Sequence, residues 1–298
     1  MGTLYLVRHG QASFGADNYD LLSELGRAQS LRLGQYWRER FGAELAFDAV
    51  LTGTLQRQRQ TWQGIAEGAQ LSGVPHVEWP GLNEYDSHAV IRAIHPDPLP
   101  PPDTPERYRL HFRLLRSGLA AWMRGEVQPA GMPSYADFVR GVTSALEHVR
   151  THYPGQVLLV SSGGPISTAV GQLLSTPAET TIELNMRYRN SAVTELSFTP
   201  RRHQLLSYNV LPHLDEARYR DWVETLPDEM TSSVVLMNFP PVPAVPEPLR
   251  GQSMVMVRGC TFSLSAAISE IAASTGTVGW QTDTTCTAGP STRMNSRT

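Results

Sequence analysis

The chain contains no lysine; all 25 of its basic residues are arginine. That excludes Schiff-base chemistry and a Walker-type lysine, and leaves arginine, histidine and backbone N–H groups to build any anion site. Cysteine is almost as scarce. Cys260 and Cys286 both stand late in the chain, so a disulfide framework, a cysteine-rich zinc site and a cysteine nucleophile in the main domain are excluded. No apolar run approaches the roughly 18 residues of a membrane-spanning helix. Residues 1–5 lack the basic-then-apolar pattern of a secretory signal, so a cytoplasmic location is expected. A net charge of −3 sets up no basic field for nucleic acid. The histidines at 76, 95, 111, 148, 152 and 203 read as surface residues, and no pair of them shows convincing metal spacing. Neither a metal nor another cofactor is expected.

What is present is a train of short apolar runs alternating with amphipathic stretches. Leu4-Tyr5-Leu6-Val7 reads as a strand buried on both faces, ending at Arg8-His9-Gly10. After a polar loop, Ser23 is placed to cap a helix whose Leu33, Trp37 and Phe41 recur every four residues. A strand over 47–51, a helix over 55–69 and a strand over 74–79 follow. The Pro-rich stretch 95–105 excludes helix interior and central strand. Two helices are expected beyond it. One is capped by Thr104 with Pro105 in its first turn. The other is capped by Ser134 with Asp137 three residues on, and carries Phe138, Val142, Ala145, Leu146 and Val149 as its apolar stripe. Val157-Leu158-Leu159-Val160 is the clearest strand. It runs into Ser161-Ser162-Gly163-Gly164-Pro165 and a helix to about Leu174, with further strands over 192–198 and 205–210.

Such alternation implies an α/β fold, a three-layer sandwich around a largely parallel sheet, with a helical insertion (86–150) over the strand ends. The main domain is expected over 1–230. Over 231–298 composition turns to Pro, Ser and Thr, with 16 Ser or Thr among the last 48 residues. That tail reads as disordered, loosely attached or out-of-register coding sequence. No internal repeat occurs. Because ligands in open α/β sheets bind beyond the carboxyl ends of strands, the groups after three strands draw notice: Arg8-His9-Gly10, Thr52 to Arg57, and Ser161 to Gly164.

Leu4-Tyr5-Leu6-Val7-Arg8-His9-Gly10-Gln11 resembles the signature of the histidine phosphatase (phosphoglycerate mutase-like) superfamily. Leu21-Leu22-Ser23-Glu24-Leu25-Gly26 is similar to its helix-start segment, and Thr52 to Thr61 to its second arginine segment. Leu82-Asn83-Glu84 resembles the stretch that supplies its acid. Val160-Ser161-Ser162-Gly163-Gly164 resembles the stretch that normally reads Ser-His-Gly. The resemblance covers roughly 3–215. It implies His9 as nucleophile, Glu84 as acid and base, and Arg8 and Arg57 as phosphate clamps. Ser162 and the backbone of Gly10, Gly163 and Gly164 would add phosphate contacts. Arg59 competes with Arg57, and Asp86 with Glu84, for these roles.

The chemistry agrees with those assignments. A neutral imidazole is a competent nucleophile near pH 7, and phosphoryl transfer needs mainly positioning and charge stabilisation. One departure stands out: Ser162 occupies the place of the family's second histidine. A serine donates one hydrogen bond without positive charge, which lowers the expected rate by roughly 10²–10³, unless another residue fills the gap. His88 is the nearer candidate and His213 the weaker. The reading is a metal-independent phosphomonoester hydrolase acting through phosphohistidine. Its rivals are a weakly active or non-catalytic module binding a phosphorylated ligand, and a phosphoglycerate mutase-type phosphotransferase. The mutase fits less well because it uses the missing histidine. The expected partner is a small phosphorylated substrate or a phosphoprotein, with no nucleic acid and no membrane; a homodimer is left open.

Overall fold

The computed structural model describes residues 1–13, 20–101 and 103–223. The tail expected over 231–298 lies outside them. The first apolar run forms β1 (Gly2–Arg8), with side chains buried on both faces. It pairs in parallel with β4 (Gln156–Ser161), Leu6 opposite Leu159, and antiparallel with β5 (Val193–Thr199), Val7 opposite Val193. With β2 (Ala49–Thr52), β3 (His76–Glu78) and β6 (Arg202–Val210) the sheet runs β3-β2-β4-β1-β5-β6. β1 to β4 are mutually parallel, while β5 and β6 reverse direction. At one edge of the sheet, β3 is shorter than the expected 74–79.

Alternation along β1 separates two cores, as the pleat requires. Tyr5 and Val7 join Val50, Leu158 and Val160 beneath α1 (Glu24–Phe41) and α2 (Gln56–Ala69), through Leu33, Trp37 and Ile65. Leu4 and Leu6 join Leu51 and Leu159 in the other core. That core is covered by α4 (Pro105–Met123), α5 (Tyr135–His152), α6 (Gly163–Leu174) and α7 (Ala178–Met186). The result is the three-layer arrangement expected from the pattern. The segment 86–150 divides: the stripe of α5 and Val90 and Ile91 of α3 (Ser87–Ile94) lie in the main core, while Ser87 and His88 at the start of α3 and the amino-terminal half of α4 border the cavity at the strand ends.

The expected caps are all made. Ser23 accepts from the Gly26 N–H at 3.0 Å, Thr104 from Arg107 at 3.3 Å and Ser134 from Asp137 at 3.1 Å. Each satisfies an amide that the helix leaves without a partner. Among the described residues no helix is long and apolar enough to cross a membrane.

Candidate active site

The parallel strands β1, β2 and β4 all release their chains at one edge of the sheet, which sets the groups that follow them around one cavity of about 410 Å³. Arg8, His9, Arg57, Glu84 and Gly163 line it together. His9 continues the β1 ladder by one residue. Its N–H donates to the Ser161 carbonyl at 2.9 Å and its own carbonyl accepts from Ser191 at 3.2 Å. The ring is fixed at both nitrogens. Nδ1 lies 2.7 Å from the Gly10 carbonyl, which can only accept, so Nδ1 carries the proton. Nε2 then holds a lone pair, toward which the Arg57 Nε–H donates at 3.2 Å. His9 is 4% exposed. Burial, then the Arg8 and Arg57 guanidinium groups, push its pKa well below the ordinary imidazole value. At neutral pH the ring is uncharged.

Arg57 sits in the first turn of α2, where Asp20 holds its Nη1 at 2.7 Å. The other Asp20 oxygen accepts from the Gln56 N–H at 2.9 Å, so one carboxylate aligns both the helix start and the guanidinium. Arg8 donates from Nη1 to the Tyr188 carbonyl. Glu84 is partly buried and lines the cavity. Its Oε2 accepts from the Gly164 N–H at 3.2 Å and its Oε1 from the Tyr85 N–H at 3.2 Å. Burial raises its pKa, against those two N–H groups and the charges of Arg57 and Arg8. The competing Arg59 pairs instead with Glu78 at 2.6 Å, and Asp86 caps α3 through the His88 and Ala89 N–H groups.

Two of the expected phosphate contacts stand away from the cavity lining. Gly10 does not line the cavity: its N–H donates to Thr61 Oγ1 at 3.0 Å, and Thr61 Oγ1 in turn donates to the Arg57 carbonyl at 2.7 Å. Glycine is needed there for close approach, since a Cβ would stand 2.3 Å from the Gly26 carbonyl oxygen. Gly10 thus positions the His9 ring and ties β1 to α2. Ser162 is also absent from the lining. It is 0% exposed, and its Oγ accepts from Gln58 Nε2 at 2.9 Å. Of the two histidines expected as substitutes at the Ser162 position, His88 stands at the cavity on α3. His213 does not; it is buried with Nε2 3.0 Å from Ser191 Oγ, and burial takes its pKa down to about 3.

Sequence reasoning missed a second wall. Asn185, Arg187 and Arg189 reach the cavity because they precede β5, whose antiparallel course starts it at the edge where β1 ends. Asp20 was missed too; its position just before the Leu21-Leu22-Ser23 helix start was the available signal. Among the described residues, no group of three or more His, Cys, Asp or Glu side chains is placed to hold a metal ion.

Comparison with known proteins gives concordant results. A family model described as Histidine phosphatase superfamily (branch 1) matches residues 4–95 and 106–211. A 2,3-bisphosphoglycerate-dependent phosphoglycerate mutase of Bartonella henselae is 34% identical over 88 residues, 28% of this chain and 41% of that protein. The protein of the same description from Bartonella quintana is 34% identical over 90 residues, 28% of this chain and 42% of its own. The chain therefore spans about two fifths of the length of the curated relatives it matches. Bacillus stearothermophilus YhfR superposes with a TM-score of 0.52 at 20% identity, over 72% of this chain and 99% of that one. Phosphoglycerate mutase from Bacillus anthracis str. Sterne gives 0.50 at 16%, over 71% and 94%. At such identities the likeness concerns the fold.

Proposed function

Because the chain belongs to the histidine phosphatase superfamily, we propose that it hydrolyses phosphate monoesters without a metal, through a phosphohistidine at His9. The observation that carries this reading is the uncharged His9, its Nε2 lone pair facing Arg57, in a cavity shared with Arg8 and Glu84.

In the first step the phosphoryl oxygens take over the Arg57 Nε–H that rests on Nε2; the freed Nε2 lone pair attacks phosphorus and the P–O ester bond breaks. Glu84, whose pKa burial raises, gives its proton to the departing alkoxide from its protonated form. Arg8 and Arg57 hold the phosphoryl oxygens, and the amino end of α6 at Gly163 offers its dipole to the same charge. As the imidazole becomes cationic, the Gly10 carbonyl on Nδ1–H stabilises it. In the second step the Glu84 carboxylate takes a proton from water, whose oxygen attacks phosphorus. The N–P bond breaks, releasing inorganic phosphate and restoring neutral His9.

A second reading rests on residue 162. With an uncharged serine turned to Gln58, the chain would bind phosphorylated ligands without turning them over. Hydrolysis of p-nitrophenyl phosphate in EDTA separates the two. The hydrolase reading expects chelator-resistant turnover that His9→Ala abolishes. Equal rates in wild type and His9→Ala overturn it, and background turnover beside intact phosphate binding installs the second reading.

A further inference from the structure

The helix α4 carries one apolar stripe along its length, and only half of it meets the core. Leu115, Leu119 and Trp122 are buried. Tyr108, His111 and Phe112, one and two turns earlier on the same face, line the cavity and keep partial exposure. The Tyr108 and Phe112 rings lie 4.6 Å apart, tilted by 45°, with the His111 ring 6.1 Å from Phe112. Met186 adds apolar surface to the same cavity. Aromatic surface that lines a cavity and keeps partial exposure gains from contact with an apolar group.

We propose that the organic part of the substrate is a planar aromatic ring resting on Tyr108 and Phe112, with its phosphate between Arg8 and Arg57. The substrate class is thus a small aryl or arylalkyl phosphomonoester. A cavity of about 410 Å³ suits a small molecule. The inference rests on the phosphate end assigned above and adds what the opposite wall selects. The competing idea is a second anionic group on the substrate, met by Arg187 or Arg189. Arg189 donates to the Asn209 carbonyl; Arg187 lies 4.0 Å from a Glu183 carboxylate that Arg116 holds at 2.7 Å, and 3-phosphonopropionate probes it directly.

Phosphonates test this without turnover, because their P–C bond has no ester oxygen to leave. Calorimetry on the full chain would compare naphthylmethylphosphonate, propylphosphonate and 3-phosphonopropionate. The aryl compound is expected to bind on the order of 10-fold more tightly than the propyl one. Tyr108→Ala and Phe112→Ala should each shrink that ratio severalfold, while inorganic phosphate binds both variants as it binds wild type, which also reports an intact fold. Equal affinities for aryl and propyl compounds, tightest binding of 3-phosphonopropionate, or an unchanged ratio in both variants overturns the proposal. A phosphotyrosine peptide that outbinds the aryl phosphonate overturns its small-molecule part. Aryl selectivity without hydrolysis removes the hydrolase reading alone; hydrolysis without aryl selectivity removes this one alone.

Discussion

Burial acts on His9 and Glu84 in opposite directions. It disfavours charge in both, so the imidazole resists protonation and the carboxyl resists losing its proton. The first step needs neutral His9 and protonated Glu84. Activity is therefore expected to persist well below pH 6.5 on the acid side, and to fall as pH climbs through the raised Glu84 pKa. The alkaline fall should be steep for alkyl phosphates, whose alkoxide needs a proton. It should be shallow for p-nitrophenyl phosphate, whose phenolate leaves readily. Glu84→Gln should cost alkyl phosphates on the order of 10²–10⁴-fold in kcat/KM and p-nitrophenyl phosphate far less. Equal losses on the two substrates would remove Glu84 from its role as acid. The residues of this site differ in how readable they were. Arg8, His9, Arg57 and Glu84, which motif and strand position singled out, do meet at one cavity. Gly10 and Ser162 do not, because their hydrogen bonds are consumed by Thr61 and Gln58, partners 51 and 104 residues away.

Among the elements, α1 and α2 approach unusually closely. A Cβ on Gly68 would stand 2.0 Å from the Leu31 carbonyl oxygen, and one on Gly34 would stand 2.1 Å from that of Ile65. Gly68→Ala should therefore separate the helices and cost about 1–3 kcal/mol, read as a lower Tm. Because α2 carries Arg57, phosphate affinity should weaken with it; a variant with unchanged Tm and affinity would refute the close-contact argument. The same elements show where patterning suffices. β1, β2 and β4 were legible because both faces are buried, and α1, α2 and α5 because their stripes are long. The short α3 and α7 were not. α7 buries only Thr181 and Ile182, too few to set a period, and α3, eight residues long, went unread because Asp86 was weighed as a carboxylate for the site and not as the cap it forms.

For the whole molecule, buried neutral histidine makes stability depend on pH. The folded-state pKa of His213 is about 3, against roughly 6.5 in an unfolded chain. Between those values the unfolded chain binds a proton that the folded one refuses, so stability climbs with pH and levels off above about 6.5. At pH 5 this amounts to about 2 kcal/mol lost relative to pH 7, and His9 adds a loss of the same sign. Thermal unfolding should show a Tm that drops from pH 7 to 5. His213→Asn should be less stable throughout yet show a shallower drop, and an unaltered slope would exclude His213 as a source.

The strand order also governs how the molecule is made. β1 is flanked by β4 and β5, both of which lie far downstream in the chain. As the polypeptide leaves the ribosome, the strand leading to His9 emerges with neither neighbour available. It keeps two bare hydrogen-bonding edges until most of the domain has been synthesised. Pairing so distant in sequence makes for slow folding, and it places the candidate active site among the last features of the nascent protein to exist.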